Sequence, residues 1–343
     1  MRHSLTARLR VAAPLLVALT ATPVLAQYRT KDVPSLAGLD AGGIAPNTIL
    51  FTDHRDNPSS PESGLTPFAE WSRNQPVQKA ILSPYPDYVE PDYKVTVNGT
   101  TKARHEALKV YLAEARFVVP RPADRIDLKR FASLGFLGRM DPAIKHRALN
   151  PADATPTRDP AAAFARRPDR PWCAAPDTLC IESRYDLEGK LPLGVKLANK
   201  LEEGGKKIAE FVSFQSELRV LPPEEAGKLA SLTRIDAPVA GAMEQNIFWV
   251  NQILRFGKFL AVLQPAAGDP GKTVVTATMA LGIKADVLDR KKEYERVPVL
   301  RNLLPAQVLM GNSSFNTGNS ISAGLPTYAR NRIAAFADAL AKE

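Results

Sequence analysis

The clearest order in the chain lies in its second half, where apolar side chains recur at every other position. In KKIAEFVSFQSELRVL, Ile208, Val212, Phe214, Leu218 and Val220 share one parity, and residues two apart line one face of a strand. TVVTATMALGIKADVL repeats the pattern with Val275, Ala277, Met279, Leu281, Ile283, Ala285 and Val287. CIESRYDLEG alternates through Ile181, Ser183, Tyr185 and Leu187, and NIFWVNQILRFGKFLAVLQP is apolar with β-prone residues. These segments predict strands, two of them longer than the usual five or six residues. AAGDPGK, before the last strand, is a turn by its Gly and Pro content.

Helical spacing appears at fewer places. LPLGVKLANKLEEGG sets Leu193, Leu197 and Leu201 four apart and stops at Gly204-Gly205. PPEEAGKLASL opens with prolines and acids, as helix starts do. Ala329, Ile333, Phe336 and Leu340 stripe a C-terminal helix. In the first half, RHEALKVYLAEARF reads as a helix with Leu108, Tyr111, Leu112 and Ala115 on one face, and DLKRFASLGFLGRM as a second, shorter one. YKVTVNGTTKA reads as a hairpin turning at Asn98-Gly99. Prolines break the stretch from Gln27 to about Glu90, where PFAEWSRN is a short candidate element.

Long strands joined through turns, with few helices between them, predict an α+β fold: a long-stranded antiparallel sheet packed by helices that include the C-terminal one. Such a sheet twists, and closing on a terminal helix it leaves a concavity. The element order of the second half is compatible with a helix-grip, START-like architecture. Between Asp141 and Asp177 stand Pro142, Pro151, Pro156, Pro160, Pro168, Pro171 and Pro176, a density that blocks helix continuation and sheet ladders. The expected organisation is a cleaved segment 1–26, an irregular N-terminal region 27–140, a Pro-rich linker 141–177 and an α+β domain 178–343.

The cleaved segment follows from MRHSLTARLRVAAPLLVALTATPVLAQ. Arg2, Arg8 and Arg10 precede an apolar run from Val11 to Leu19, and Val24-Leu25-Ala26 precedes a cut ahead of Gln27. This is the layout of a secretory signal peptide; the run is too short for a membrane span of about 20 residues. The expectation is an exported, periplasmic or extracellular protein that does not span a membrane. Removing the three arginines lowers the formal charge from +9 to +6, with 42 basic against 36 acidic residues. The charges are dispersed, without the basic block of a nucleic-acid arm, so no nucleic-acid partner is expected. Cys173 and Cys180 are the chain's two cysteines. In an oxidising compartment they predict one disulfide rather than a zinc or redox motif.

Candidate chemistry is sparse. HEALK at His105–Lys109 sets Lys109 where a second zinc ligand would stand. Asp53, His54 and Asp56 in TDHRDN fall in a Pro- and Ser-rich stretch and read as a solvated charge cluster. The third histidine of the mature chain is His146, and residues 178–343 hold none. No metal and no cofactor are expected. MGNSSFNTGNSISAGLPTYARNR, residues 310–332, lacks both the GxSxG elbow and the Gly-Lys-Ser/Thr end of a phosphate loop. Its Gly and Asn residues suit a structural connection. As a binding lip its small polar groups, with Arg301, Arg330 and Arg332, could hold an anionic or sugar-like group. The candidate ligand contacts are therefore Arg301, Asn312, Ser314, Asn316, Ser320 and Arg330.

Three function classes follow. The first is an exported binding protein for a lipid-like or amphipathic small molecule, with Phe211, Phe214, Phe248, Trp249, Phe256 and Phe259 supplying apolar surface. The second is an envelope structural or interaction protein without a small ligand. The third is a hydrolase of unrecognised arrangement, for instance His54 with a serine of the C-terminal run. The absence of histidine from the ordered half favours binding.

Overall fold

The last of the described strands, with apolar positions alternating over most of its length, is an interior strand of the sheet. The computed structural model describes residues 27–39, 43–53, 65–71, 92–97, 100–105, 108–153, 172–186, 211–250, 254–284 and 321–342. Their strands are β1 Arg29–Asp32, β2 Thr48–Thr52, β3 Leu65–Pro67, β4 Asp92–Val97, β5 Thr100–His105, β6 Leu108–Val119, β7 Ile144–Ala148, β8 Thr178–Asp186, β9 Phe211–Val220, β10 Gly241–Val250, β11 Leu254–Ala266 and β12 Asp269–Lys284. The helices are α1 Phe68–Trp71, α2 Leu134–Met140, α3 Pro223–Gly227, α4 Ala230–Thr233 and α5 Ile321–Lys342. One sheet runs β1-β2-β6-β12-β11-β10-β9-β8-β7, with β3 also on β6. Its β1–β2 pair is parallel and the other pairs are antiparallel. β4 and β5 form a separate hairpin whose register, Val97 opposite Thr100, leaves two residues for the turn.

The α+β reading holds, and α5 lies along the sheet as a gripped C-terminal helix. Ala329, Ile333, Phe336 and Leu340 are buried against Ala113, Ala115, Phe117, Phe259, Ala261, Val275, Ala277 and Met279 in one apolar core. Small residues on the central strands let the helix approach closely. α2 closes the side, its Ser133 N-cap hydroxyl accepting from the Phe136 N–H at 3.3 Å. The opposite sheet face is covered too. Leu221, Ala226, Leu229 and Leu232 from the α3–α4 segment pack on Ala242, Leu260 and Val262, and Phe68, Trp71 and Trp172 pack on Phe248 and Phe256. Among the described residues no helix is long and apolar enough to cross a membrane.

RHEALKVYLAEARF forms not a helix but the end of β5 and most of β6, paired with β12 through twelve residues and flanked by β2 and β3. Both faces of β6 are buried, so its apolar residues are near-continuous and mimic a helical stripe. The sheet includes strands from both sides of the Pro-rich stretch. Within that stretch, Ile144–Ala148 is the edge strand β7. The polar run 310–332 is helical from Ile321 onward. PPEEAGKLASL yields two short helices. The helix expected over LPLGVKLANKLEEGG and the segment 1–26 lie outside the described residues.

Cys173 and Cys180 are joined, with Cα atoms 5.4 Å apart. The loop they close docks on the face opposite α5, where Trp172 stacks on Phe248 at 4.7 Å and the Cys173 N–H donates to Glu217 Oε2 at 3.0 Å.

Candidate functional site

Strand parity decides which side chains α5 can meet. Cross-strand partners point to the same face, and the registers place His146 opposite Ser183, Ser183 opposite Phe214, Gln245 opposite Leu218 and Phe259, and Ser216 opposite Ile247. Leu218 and Phe259 belong to the core under α5. A polar set, His146, Ser183, Ser216 and Gln245, therefore crosses β7, β8, β9 and β10 on the helix-covered face, where aliphatic residues would be expected. Ser183 and Ser216 are fully buried and Gln245 nearly so.

Arg332 of α5 meets this set from the helix side. Its Nη2 donates to Gln245 Oε1 at 2.7 Å, and Gln245 Nε2 passes the chain to Ser216 Oγ at 3.0 Å. Arg332 Nη1 lies 3.5 Å from the Tyr328 hydroxyl, and the guanidinium stands 5.9 Å from the Phe259 ring centre. Among the described residues no carboxylate pairs with it. Asp141 lies within reach of its field: burial raises the Asp141 carboxyl pKa, with Arg332 and the Ala143 N–H opposing.

His146 Nδ1 lies 2.8 Å from Ser183 Oγ, while Nε2 is buried without a partner among the described residues. Burial, then the charge of Arg332, pushes the imidazole pKa down to about 4, so the ring is neutral at pH 7. An orphaned buried donor or acceptor costs about 1–3 kcal/mol. Ser183 is the described residue nearest to a nucleophile–base pair, but its hydroxyl is sealed in the sheet and serves to orient the ring. Just beyond the polar set, on the same face, Tyr185, Val212, Phe214 and Ile247 are only half-buried. Ile247 bends over Gly257, where an added Cβ would meet its Cδ1 at 2.9 Å.

A pH effect follows from His146. The unfolded imidazole protonates near pH 6.5, the folded one near 4, so the unfolded state takes up the proton first as pH falls. The contribution is fully present above 6.5 and is lost progressively between 6.5 and 4. The thermal midpoint is expected to drop from pH 7 to 5, and His146→Gln should flatten that drop. Equal slopes in differential scanning fluorimetry would contradict the assignment.

Of the six residues expected at the site, the structure describes Arg330. Arg301, Asn312, Ser314, Asn316 and Ser320 lie outside the described residues, as does His54. Arg330 forks onto Asp32 of β1 at 2.9 Å and covers the Phe51 ring at 4.5 Å. Of the aromatics taken as ligand surface, Phe248, Phe256 and Trp249 pack on the face opposite α5, and Phe211 carries the Arg184 guanidinium. Phe214 and Phe259 remain on the α5 side. Sequence reasoning assigned no role to His146, Ser183, Ser216 or Gln245. Their signal was a polar residue at a core parity: Ser216 sits between Phe214 and Leu218, and Ser183 between Ile181 and Tyr185. A groove of 310 Å³ lined by Tyr28, Ile44, Val118 and Lys272 includes none of them. Among the described residues no group of three His, Cys, Asp or Glu side chains could hold a metal ion.

No protein-family model matches the chain, and no curated protein matches it by sequence. Among solved structures, the Zhui aromatase/cyclase from Streptomyces sp. R1128 is similar with 12% identity and a TM-score of 0.35, covering 68% of this chain and 93% of that one. Ara h 8.0201 is similar with 11% identity and a TM-score of 0.27, covering 57% of this chain and 95% of its own.

Proposed function

We propose that this chain is an exported protein that binds an amphipathic small molecule between α5 and the β7–β10 part of the sheet. The ligand's anionic head lies at Arg332 and its apolar body on Tyr185, Val212, Phe214 and Ile247. The observation that carries this reading is Arg332: a guanidinium on the helix-covered face, held by Gln245 at 2.7 Å and paired with no carboxylate among the described residues. A cation so placed is a receptor for an external anion. The half-buried apolar side chains beside it supply the hydrophobic contact that such sites use. The polar run through Asn312, Ser314, Asn316 and Ser320 leads in sequence directly into α5, and we place it with Arg301 at the rim of the site. Arg330, bound to Asp32, anchors the helix. The Cys173–Cys180 bond supports an oxidising, extracytoplasmic location.

Anilinonaphthalene sulfonate, a fluorescent anion with an apolar ring system, tests the reading. The wild-type protein is expected to bind it at neutral pH in its folded state. Arg332→Met should weaken binding about tenfold or more, since hydrogen bonds to a charged group contribute about 1.5–3 kcal/mol. Absence of binding to the wild type, or equal affinity in the variant, would refute the proposal.

A further inference from the structure

We propose, building on the reading above, that the ligand head is a carboxylate recognised at two points, with one acceptor oxygen at the Arg332 guanidinium and a second at the Nε2–H of His146, whose tautomer Ser183 fixes. The argument starts from the Ser183 hydroxyl. It is fully buried, and its one hydrogen bond among the described residues is to His146 Nδ1 at 2.8 Å. A hydroxyl carries a proton to donate, and a neutral imidazole has one nitrogen that accepts and one that donates. If Nδ1 carried the proton, the Ser183 proton would be left without an acceptor. Donation from Ser183 to Nδ1 satisfies both groups and puts the ring proton on Nε2.

That proton is then the unused donor of the ring. Nε2 is buried and has no hydrogen-bond partner among the described residues. Burial first, and then the field of Arg332, keep the ring neutral, so His146 offers a single directed donor rather than a second charge. Ser183 from β8 and Arg332 from α5 face it, and Asp141, at the end of α2, lies within the field of Arg332. Asp141 is held by the Ala143 N–H and is displaced from its usual ionisation by burial. It makes no ion pair with Arg332, which leaves both donors for an external acid. A planar carboxylate presents two acceptor oxygens that a guanidinium and an N–H can share. An alcohol offers one oxygen and no charge, and a quaternary ammonium offers neither.

The test uses dodecanoate, dodecanol and dodecyltrimethylammonium against the full mature chain, with ¹⁵N-histidine labelling. We expect dodecanoate to bind at least about tenfold more tightly than dodecanol, and the ammonium to bind most weakly. In the free protein the His146 ring should show Nδ1 unprotonated and Nε2 protonated, and dodecanoate should shift the Nε2–H resonance downfield. Ser183→Ala should release the tautomer and weaken dodecanoate binding several-fold. His146→Phe should weaken dodecanoate more than it weakens dodecanol. An Nδ1–H tautomer, equal affinities for dodecanoate and dodecanol, or a dodecanoate complex without a shift at Nε2–H would overturn the two-point head. If none of the three amphiphiles binds and the sulfonate dye does not bind either, the binding reading itself fails, and this inference with it.

Discussion

Phe336→Ala is expected to remove about 3–5 kcal/mol of folding stability, the usual range for deleting a fully buried phenyl ring. Phe336 is 1% exposed and lies where the sheet, α2 and α5 converge. Its ring meets Phe259 edge-on at 5.6 Å, Phe131 at 6.0 Å and Phe136 at 6.3 Å. No neighbour can collapse into the space, because Phe259 is fixed in β11 and Phe131 and Phe136 already pack edge-on at 5.0 Å. Phe336 also lies one turn after Arg332, so losing it loosens the helix over Gln245. Urea unfolding should show a lower midpoint with an unchanged slope, and dye affinity should fall with it. A loss below about 1 kcal/mol would mean that α5 is not the lid of this core.

The fold was legible where only one face of a strand carries the pattern. Val275, Ala277, Met279 and Leu281 form one row against α5, and their alternation survives any neighbour they pair with. β6 was not legible, because Leu108, Leu112 and Ala115 satisfy helical spacing and strand burial equally. Only the long-range pairing with β12 separates the two. β7 was hidden for a different reason. IKHRA is a short edge strand with one buried apolar residue, Ile144, and its ladder comes from a strand more than thirty residues away. The site shared that fate. Arg332 was visible as a basic residue within the stripe from Ala329 to Leu340, but its meeting with Gln245 depends on which strand lies under the helix. His146 acquires meaning only through Ser183, which pairing alone brings to it.

The largest electrostatic effect lies on the other face. Replacing Lys258 by methionine is expected to cost about 3–5 kcal/mol, because it strips a buried carboxylate of its closest cation. Lys258 is 2% exposed, and its Nζ sits 2.7 Å from Glu244 Oε2. Glu244 Oε1 accepts from Arg219 Nε and from Asn246 Nδ2, both at 3.0 Å. Asn246 reaches on to Glu217, which takes the Cys173 N–H, so the pair also supports the disulfide loop. Burial alone would raise the Glu244 carboxyl pKa. The charge and hydrogen bond of Lys258, the Asn246 amide and the Arg219 charge outweigh that and hold it below its ordinary 4.5. A carboxyl with a depressed folded pKa stabilises the native state above the unfolded value, and that contribution is lost as pH falls through the folded one. Without Lys258 the balance tips back toward burial, so acid unfolding should begin at a higher pH. The double variant Lys258→Met/Glu244→Met separates charge from packing. A matched apolar pair avoids the stranded carboxylate and should recover part of the loss, leaving Arg219 to Glu225. A single variant as stable as wild type, or a double variant less stable than the single, would show that Lys258 holds the strands by its aliphatic stem alone.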